Sequence, residues 1–319
     1  MIYYLMIIGG FVLLIKGADF LLDGATSIAR RASVSDLVIG LTVVAFGTSM
    51  PEFFVNIAAS IRGSTDIAIG NVLGSNIANI LLILGVSAMI FPISVKTGTV
   101  WKEIPFSLLA SIILLLMAND QIIDKSQHSI LTRIDGLVLL CFFVIFIYYS
   151  FSIACEINGM ATYVPSKRLG VIKSVFLVVC GLSGLSIGGK LIVDGSVNLA
   201  LRMGMDESVV GLTIVALGTS LPELATSAVA AYRKNVEIAV GNVIGSNIFN
   251  IFFVLGTSSA IKPLPFKVEN NVDIGMVVVA GLLLFGCMFT GKKRTIDRWQ
   301  GAAFLILYTL YIVYLLTRI

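Results

Sequence analysis

The chain has 319 residues, 57% of them apolar and 13% charged, and its formal net charge is +4. A soluble domain carries about 25% charged residues, and here the mean hydropathy is +1.00. Those figures exclude an ordinary water-soluble enzyme, and so small a net charge gives no reason to expect a nucleic-acid partner.

Crossing ~30 Å of hydrocarbon takes ~20 apolar residues in helix. Runs of that kind predict ten spans in chain order, at 2–28, 37–61, 67–91, 103–118, 135–154, 171–200, 208–231, 238–261, 272–290 and 299–316. The loops between them are short, so one all-α integral membrane bundle surrounded by lipid is expected. The first run has no basic residue before Lys16 and no small-residue cleavage site, so it reads as a permanent helix and not as a signal peptide. With the N-terminus outside, 13 loop Lys and Arg residues fall inside and 7 outside. The positive-inside rule therefore places both termini outside a cell membrane. Cys141, Cys155, Cys180 and Cys287 lie in or beside apolar runs without ligand spacing and read as packing residues. His128 stands alone in a polar loop.

The chain repeats itself. VIGLTVVAFGTSMPE from Val38 returns as VVGLTIVALGTSLPE from Val209, and IAIGNVLGSNIANI from Ile67 as IAVGNVIGSNIFNI from Ile238. Both pairs keep one offset, 171 residues, from Glu52 to Glu223 and from Asn79 to Asn250. Over Val38–Gly85 against Val209–Gly256, 26 of 48 positions are identical without a gap. Residues 1–154 and 171–319 thus read as two five-helix repeats joined by a linker at 155–170. Five is odd, so equivalent helices cross the membrane in opposite directions. Transporters use inverted repeats of this kind, with the site at the midplane between the halves.

The string shared by the two repeats carries the chemistry. Glu52 and Glu223 lie inside apolar spans, where a carboxylate costs at least about 2.5–3.5 kcal/mol on insertion scales and marks function. Pro51 and Pro222 break their helices. Carbonyls near Ala45, Thr48, Ala216 and Thr219 are expected to leave the helical ladder there, and Ser49 and Ser220 to add hydroxyls. Ser75 and Asn79, four residues apart, share a helical face, as do Ser246 and Asn250. Asn71, Asn76, Asn242 and Asn247 are read as holding the broken backbone. Every donor is a hard oxygen, with no His or Cys, which suits Ca²⁺ or Na⁺ better than zinc or copper. Two carboxylates balance one Ca²⁺, and monovalent ions competing for the same cluster would make an exchanger.

At these residues the chain resembles the sodium/calcium exchanger family of the cation/calcium antiporter superfamily. GTSMPE at Gly47 and GTSLPE at Gly218, each followed by GN…GSN…N, are similar to that family's two α-repeats, and the missing central loop suggests a compact prokaryotic-type member. The resemblance implies antiport of Na⁺ against Ca²⁺ by alternating access, with no cofactor and no enzymatic activity, in a chain that works as a monomer. It implies ion ligation by Ala45, Thr48, Ser49, Glu52, Ser75 and Asn79, and by Ala216, Thr219, Ser220, Glu223, Ser246 and Asn250. It also implies that the first and sixth helices slide to switch access, here KGADFLLDGATSIA and GKLIVDGSVNLA. Lys16, Asp19, Asp23, Lys190 and Asp194 in those strings read as helix-end markers or local pairs, with a gating role as the lesser alternative. Some relatives carry Asp at the position of Asn250, so potassium co-transport is not expected. A Ca²⁺/H⁺ antiporter is the nearest alternative and a cation channel a more distant one.

Overall fold

The computed structural model describes residues 2–156, 169–203, 216–291 and 294–317. The proposed linker falls largely at 157–168, outside the described residues, as does the first third of the span expected at 208–231. The described chain is helical almost throughout. In order it forms α1 (Ile2–Arg31), α2 (Asp36–Thr48), α3 (Met50–Arg62), α4 (Thr65–Ile90), α5 (Thr97–Met117) and α6 (Arg133–Glu156). There follow α7 (Val171–Arg202), α8 (Ala216–Gly218), α9 (Leu221–Tyr232), α10 (Val236–Ile261), α11 (Asn270–Cys287) and α12 (Arg298–Thr317). Among the described residues eight helices are long and apolar enough to cross a membrane, and nine if the bent pair α2–α3 counts as one span. Where their ends are described, the expected spans match these bounds to within six residues, the largest difference being the fourth, which begins at Thr97 instead of 103.

The centre is built from the repeated segments. α10 is buried over 94% of its most apolar window and α4 over 72%, whereas α6, α7, α11 and α12 are buried over 22–28% and face lipid with their remaining surface. Helices buried on all sides need small residues where backbones meet. Gly241 and Gly245 of α10 meet that need against α2, where an added Cβ would lie 2.7 Å from the Leu37 carbonyl and 2.5 Å from the Leu41 carbonyl.

Contacts between the halves are exchanged in pairs. Strand β1 (Ile93–Ser94) pairs antiparallel with β4 (Thr295–Ile296), and β2 (Ser129–Leu131) with β3 (Leu264–Phe266), so each small sheet takes one strand from each half. Lys96 bonds Glu237 at 2.6 Å, and its counterpart Lys267 bonds Asp66 at 2.7 Å. α1 and α7 run antiparallel, with Gly10 against Gly188 and Gly17 against Gly181. A Cβ at Gly17 would sit 2.9 Å from the Gly181 carbonyl, and one at Gly181 would sit 2.8 Å from the Gly17 carbonyl.

Two ion pairs break this pattern. Arg233, just past the end of α9, bonds Asp19 and Asp23 of α1, each at 2.5 Å. Both acids lie within an unbroken helix and reach into the opposite half, so they are neither helix-end markers nor local pairs as expected. Lys190 and Asp194 likewise lie inside unbroken α7. Among the described residues, Arg62, the counterpart of Arg233, forms no ion pair with Asp194.

Candidate ion-binding site

Proline sets the backbone of the site. Pro51 and Pro222 stand in the first turn of α3 and α9, where a missing N–H costs least. Ahead of them the chain turns at Ser49 (φ −84°, ψ 5°) and Ser220 (φ −87°, ψ 2°), and α2 and α3 meet at a 45° bend. The carbonyl that loses its donor is the one four residues before each proline, at Gly47 and Gly218. Ala45 O keeps its helical bond from Ser49 N at 3.0 Å and lies 3.3 Å from Thr48 Oγ1. The expected release of the Ala45 carbonyl from the ladder is therefore corrected: the break lies two residues further on. Ala216 begins the described part of its helix.

A second irregularity was not foreseen. π-helical segments at Gly40–Val44, Ala78–Ile83 and Phe249–Leu255 interrupt α2, α4 and α10, the last two at equivalent positions. An extra residue in a turn rotates the side chains that follow it and is often found at functional sites. Asn79 and Asn250 sit in the first turn of these segments.

The structure brings the expected side chains into one buried cluster. Glu52 and Glu223 are each 1% exposed, and Thr48, Ser49, Ser75, Asn79, Ser220, Ser246 and Asn250 are buried with them; Thr219 is half-buried. Hydrogen bonds cross between the repeats in matched pairs. Ser49 Oγ donates to Glu223 Oε1 at 2.9 Å, and Ser220 Oγ to Glu52 Oε1 at 3.4 Å. Thr48 Oγ1 donates to Asn242 Oδ1 at 3.0 Å, and Thr219 Oγ1 to Asn71 Oδ1 at 3.3 Å. Ser75 Oγ lies 3.5 Å from Glu52 Oε1 and 3.2 Å from Ser220 Oγ.

Five oxygens in this cluster are buried without a hydrogen-bond partner among the described residues: Glu52 Oε2, Glu223 Oε2, Asn79 Oδ1, Asn250 Oδ1 and Ser246 Oγ. Buried polar atoms are normally paired, and an unmet acceptor costs about 1–3 kcal/mol, more when charged. A cluster of unmet oxygens, two of them carboxylate, is the donor set of a hard cation.

Some of the supporting residues escaped the sequence reading. Asn71 Nδ2 donates to Asn56 Oδ1 at 2.7 Å, while Asn242 Nδ2 donates to Ser227 Oγ at 2.9 Å. Asn56 and Ser227 are equivalent at the offset of 171 but differ in type, so identity between the repeats did not reveal them. Glu103 is a further buried carboxyl, accepting from Tyr149 Oη at 2.6 Å, and it too was not singled out.

Two inverted repeats enclosing an oxygen-lined acidic cluster at their interface define a membrane transporter of the secondary, ion-coupled class. The chain belongs to the sodium/calcium exchanger family, whose profile, sodium/calcium exchanger protein, matches residues 2–152 and 173–317. It is a compact, prokaryotic-type member of a family of transporters, not enzymes. Among its relatives are a putative antiporter, CaxA, of Alkalimonas amylolytica, 36% identical over 96% of both chains, and the sodium/calcium exchanger MaX1 of Methanosarcina acetivorans, 33% identical over 98% of both. A solved structure of the sodium-calcium exchanger NCX_Mj superposes with a TM-score of 0.84 at 37% identity, covering 98% of this chain and 99% of that one. The architecture is all-α and membrane-integral, and a ten-helix inverted repeat fits that fold.

Proposed function

We propose that this protein is an antiporter that exchanges Na⁺ for Ca²⁺ across the cell membrane by alternating access, with both ions bound at the midplane between Glu52 and Glu223. The observation that carries the reading is the set of five buried, unpartnered oxygens contributed by both repeats. Ca²⁺ takes six to eight oxygen ligands, and this cluster supplies two carboxylates, two amide oxygens and several hydroxyls. Ala45, Thr48, Ser49, Glu52, Ser75 and Asn79 line one half of the site, and Ala216, Thr219, Ser220, Glu223, Ser246 and Asn250 the other. Loss of charge on one ion's departure must be met by the next ion's arrival, since two bare carboxylates in a buried site are costly. That requirement couples the two fluxes. The exchanger names of MaX1 and NCX_Mj favour the same assignment.

In this reading the two five-helix halves form one membrane domain, the chain works as a monomer, and both termini lie outside. Asn250 leaves the site with two carboxylates, so potassium does not take part. The decisive measurement is ⁴⁵Ca²⁺ uptake into proteoliposomes under an outward sodium gradient, compared with a pH gradient and with added potassium. Uptake is expected with sodium alone and is expected to fall at least 100-fold in Glu52→Gln and in Glu223→Gln. Uptake driven by protons without sodium, or unchanged exchange in both variants, would overturn the assignment.

A further inference from the structure

Beyond the proposed ligands, four asparagines form an interlocked set at the interface of the repeats. Asn76, Asn79, Asn247 and Asn250 are all at most 2% exposed. Asn76 Nδ2 donates to the backbone carbonyl of Asn247 at 3.3 Å, and Asn76 Oδ1 accepts from Asn250 Nδ2 at 3.1 Å. In the matching position, Asn247 Oδ1 accepts from Asn79 Nδ2 at 2.9 Å.

A side-chain amide has an acceptor end and a donor end, and a half-turn exchanges them. A backbone carbonyl can only accept. Its contact with Asn76 fixes the NH₂ of that residue on Asn247 O, so the other end of Asn76 must be oxygen. Asn250 can then meet Asn76 only through its own NH₂, which turns Asn250 Oδ1 away from Asn76. On the other side, Asn79 spends its NH₂ on Asn247 Oδ1. The amide oxygens of 79 and 250 are the ends left without a partner among the described residues. Reversed, either amide would offer a donor to a cation and repel it.

We infer that Asn76 is a positioning residue that sets the polarity of the Asn250 amide, so that this amide presents oxygen to the transported cation. The inference rests on the proposed assignment of Asn250 as a ligand. It gives Asn76 a role in ion affinity, with the Asn247 carbonyl as its anchor, beyond holding broken backbone. Partners that orient a metal ligand are worth about 10–100-fold in affinity when removed.

The test is a double-mutant cycle on the purified full chain, reading Ca²⁺ and Na⁺ dissociation constants by calorimetry, the KM and maximal rate of sodium-driven Ca²⁺ uptake, and the melting temperature. Asn250→Ala is expected to weaken Ca²⁺ binding about tenfold through loss of the ligand. Asn76→Ala is expected to weaken it to a similar degree, raising KM with the maximal rate kept within about twofold. Adding Asn76→Ala to Asn250→Ala should change affinity no further, because the residue acts only through that amide. Asn76→Leu, close in size, takes its place if the alanine variant melts early. Full additivity, or unchanged affinity in Asn76→Ala or in Asn250→Ala, overturns the positioning role. A wild-type protein that binds neither ion overturns the assignment of function instead, so the two failures are distinct.

Discussion

Most contacts that join the two repeats come in pairs related by the internal two-fold axis, and the contact between α1 and the end of α9 does not. In the buried cluster Ser49–Glu223 is answered by Ser220–Glu52, and at the ends of the bundle Lys96–Glu237 is answered by Lys267–Asp66 and each small sheet by the other. Arg233, by contrast, closes on Asp19 and Asp23, and the equivalent trio of Arg62, Lys190 and Asp194 cannot copy it, since a lysine replaces one of the acids. The surroundings differ too. Ala25, Thr26 and Ser27 of α1 are buried, while their counterparts in α7, Ser196, Val197 and Asn198, are half-buried or exposed. A contact that the axis repeats acts on both faces of the membrane, so its two copies largely offset each other. A contact without a counterpart can favour one face. On the proposed mechanism the symmetric set holds the halves together, and the Arg233 pairs bias which side is closed.

The comparison breaks most severely at Gly181. A Cβ there would meet Leu21 N at 2.5 Å and Gly17 O at 2.8 Å, backbone atoms that cannot yield cheaply. Gly181→Leu is expected to cost about 1–3 kcal/mol or more by overpacking, visible as a lower melting temperature and loss of the monodisperse peak in size-exclusion chromatography. A variant as stable as wild type would show that α1 and α7 do not need their close approach. The next effect is smaller and of another kind. The two Arg233 pairs are partly exposed, so each contributes about 0.2–1 kcal/mol. Arg233→Ala is expected to leave stability nearly unchanged and to shift the balance of access states by up to about tenfold. With the native cysteines replaced, a single cysteine at Thr26 should react faster with a water-soluble maleimide in Arg233→Ala than in the parent. An unchanged rate removes Arg233 as the source of bias. Least of all, Lys96→Ala and Lys267→Ala should each lower the melting temperature slightly and by similar amounts, without altering that labelling rate. Unequal losses in those two would mean that the symmetry of the tethers is only apparent.

Much of this was legible in the chain because the physics behind it is local. A lipid-spanning run must be apolar along its length, so span limits came within a few residues. Pro51 and Pro222 announced the breaks, and the constant offset of 171 tied them together. The Ala45 carbonyl was misplaced because proline frees the oxygen four residues before it, which is Gly47. The π-helical segments carry no proline or shared glycine inside the altered turn of α4 and α10, so their residues look like ordinary helix. Contacts between distant positions were the least visible. Arg233 lies 210 and 214 residues from its two partners, and the repeat itself pointed to a symmetric arrangement that the lysine at 190 forbids. Asn56 and Ser227 do the same work with different side chains, which a search for identical residues passes over.

The exchange of hydrogen bonds between the halves also has a consequence for biosynthesis. Glu52 receives a bond from Ser220, 168 residues later in the chain. Ribosomes add ~5–20 residues per second, so the first half waits roughly ten to thirty seconds before its carboxyl can meet that partner. Neither small sheet can form earlier, because each needs a strand from the second half. During that interval a helix with an unmatched acid stands in or beside the bilayer, and the insertion machinery or a protonated side chain must shelter it. Maturation of this transporter is therefore a late event, completed only as the last spans arrive.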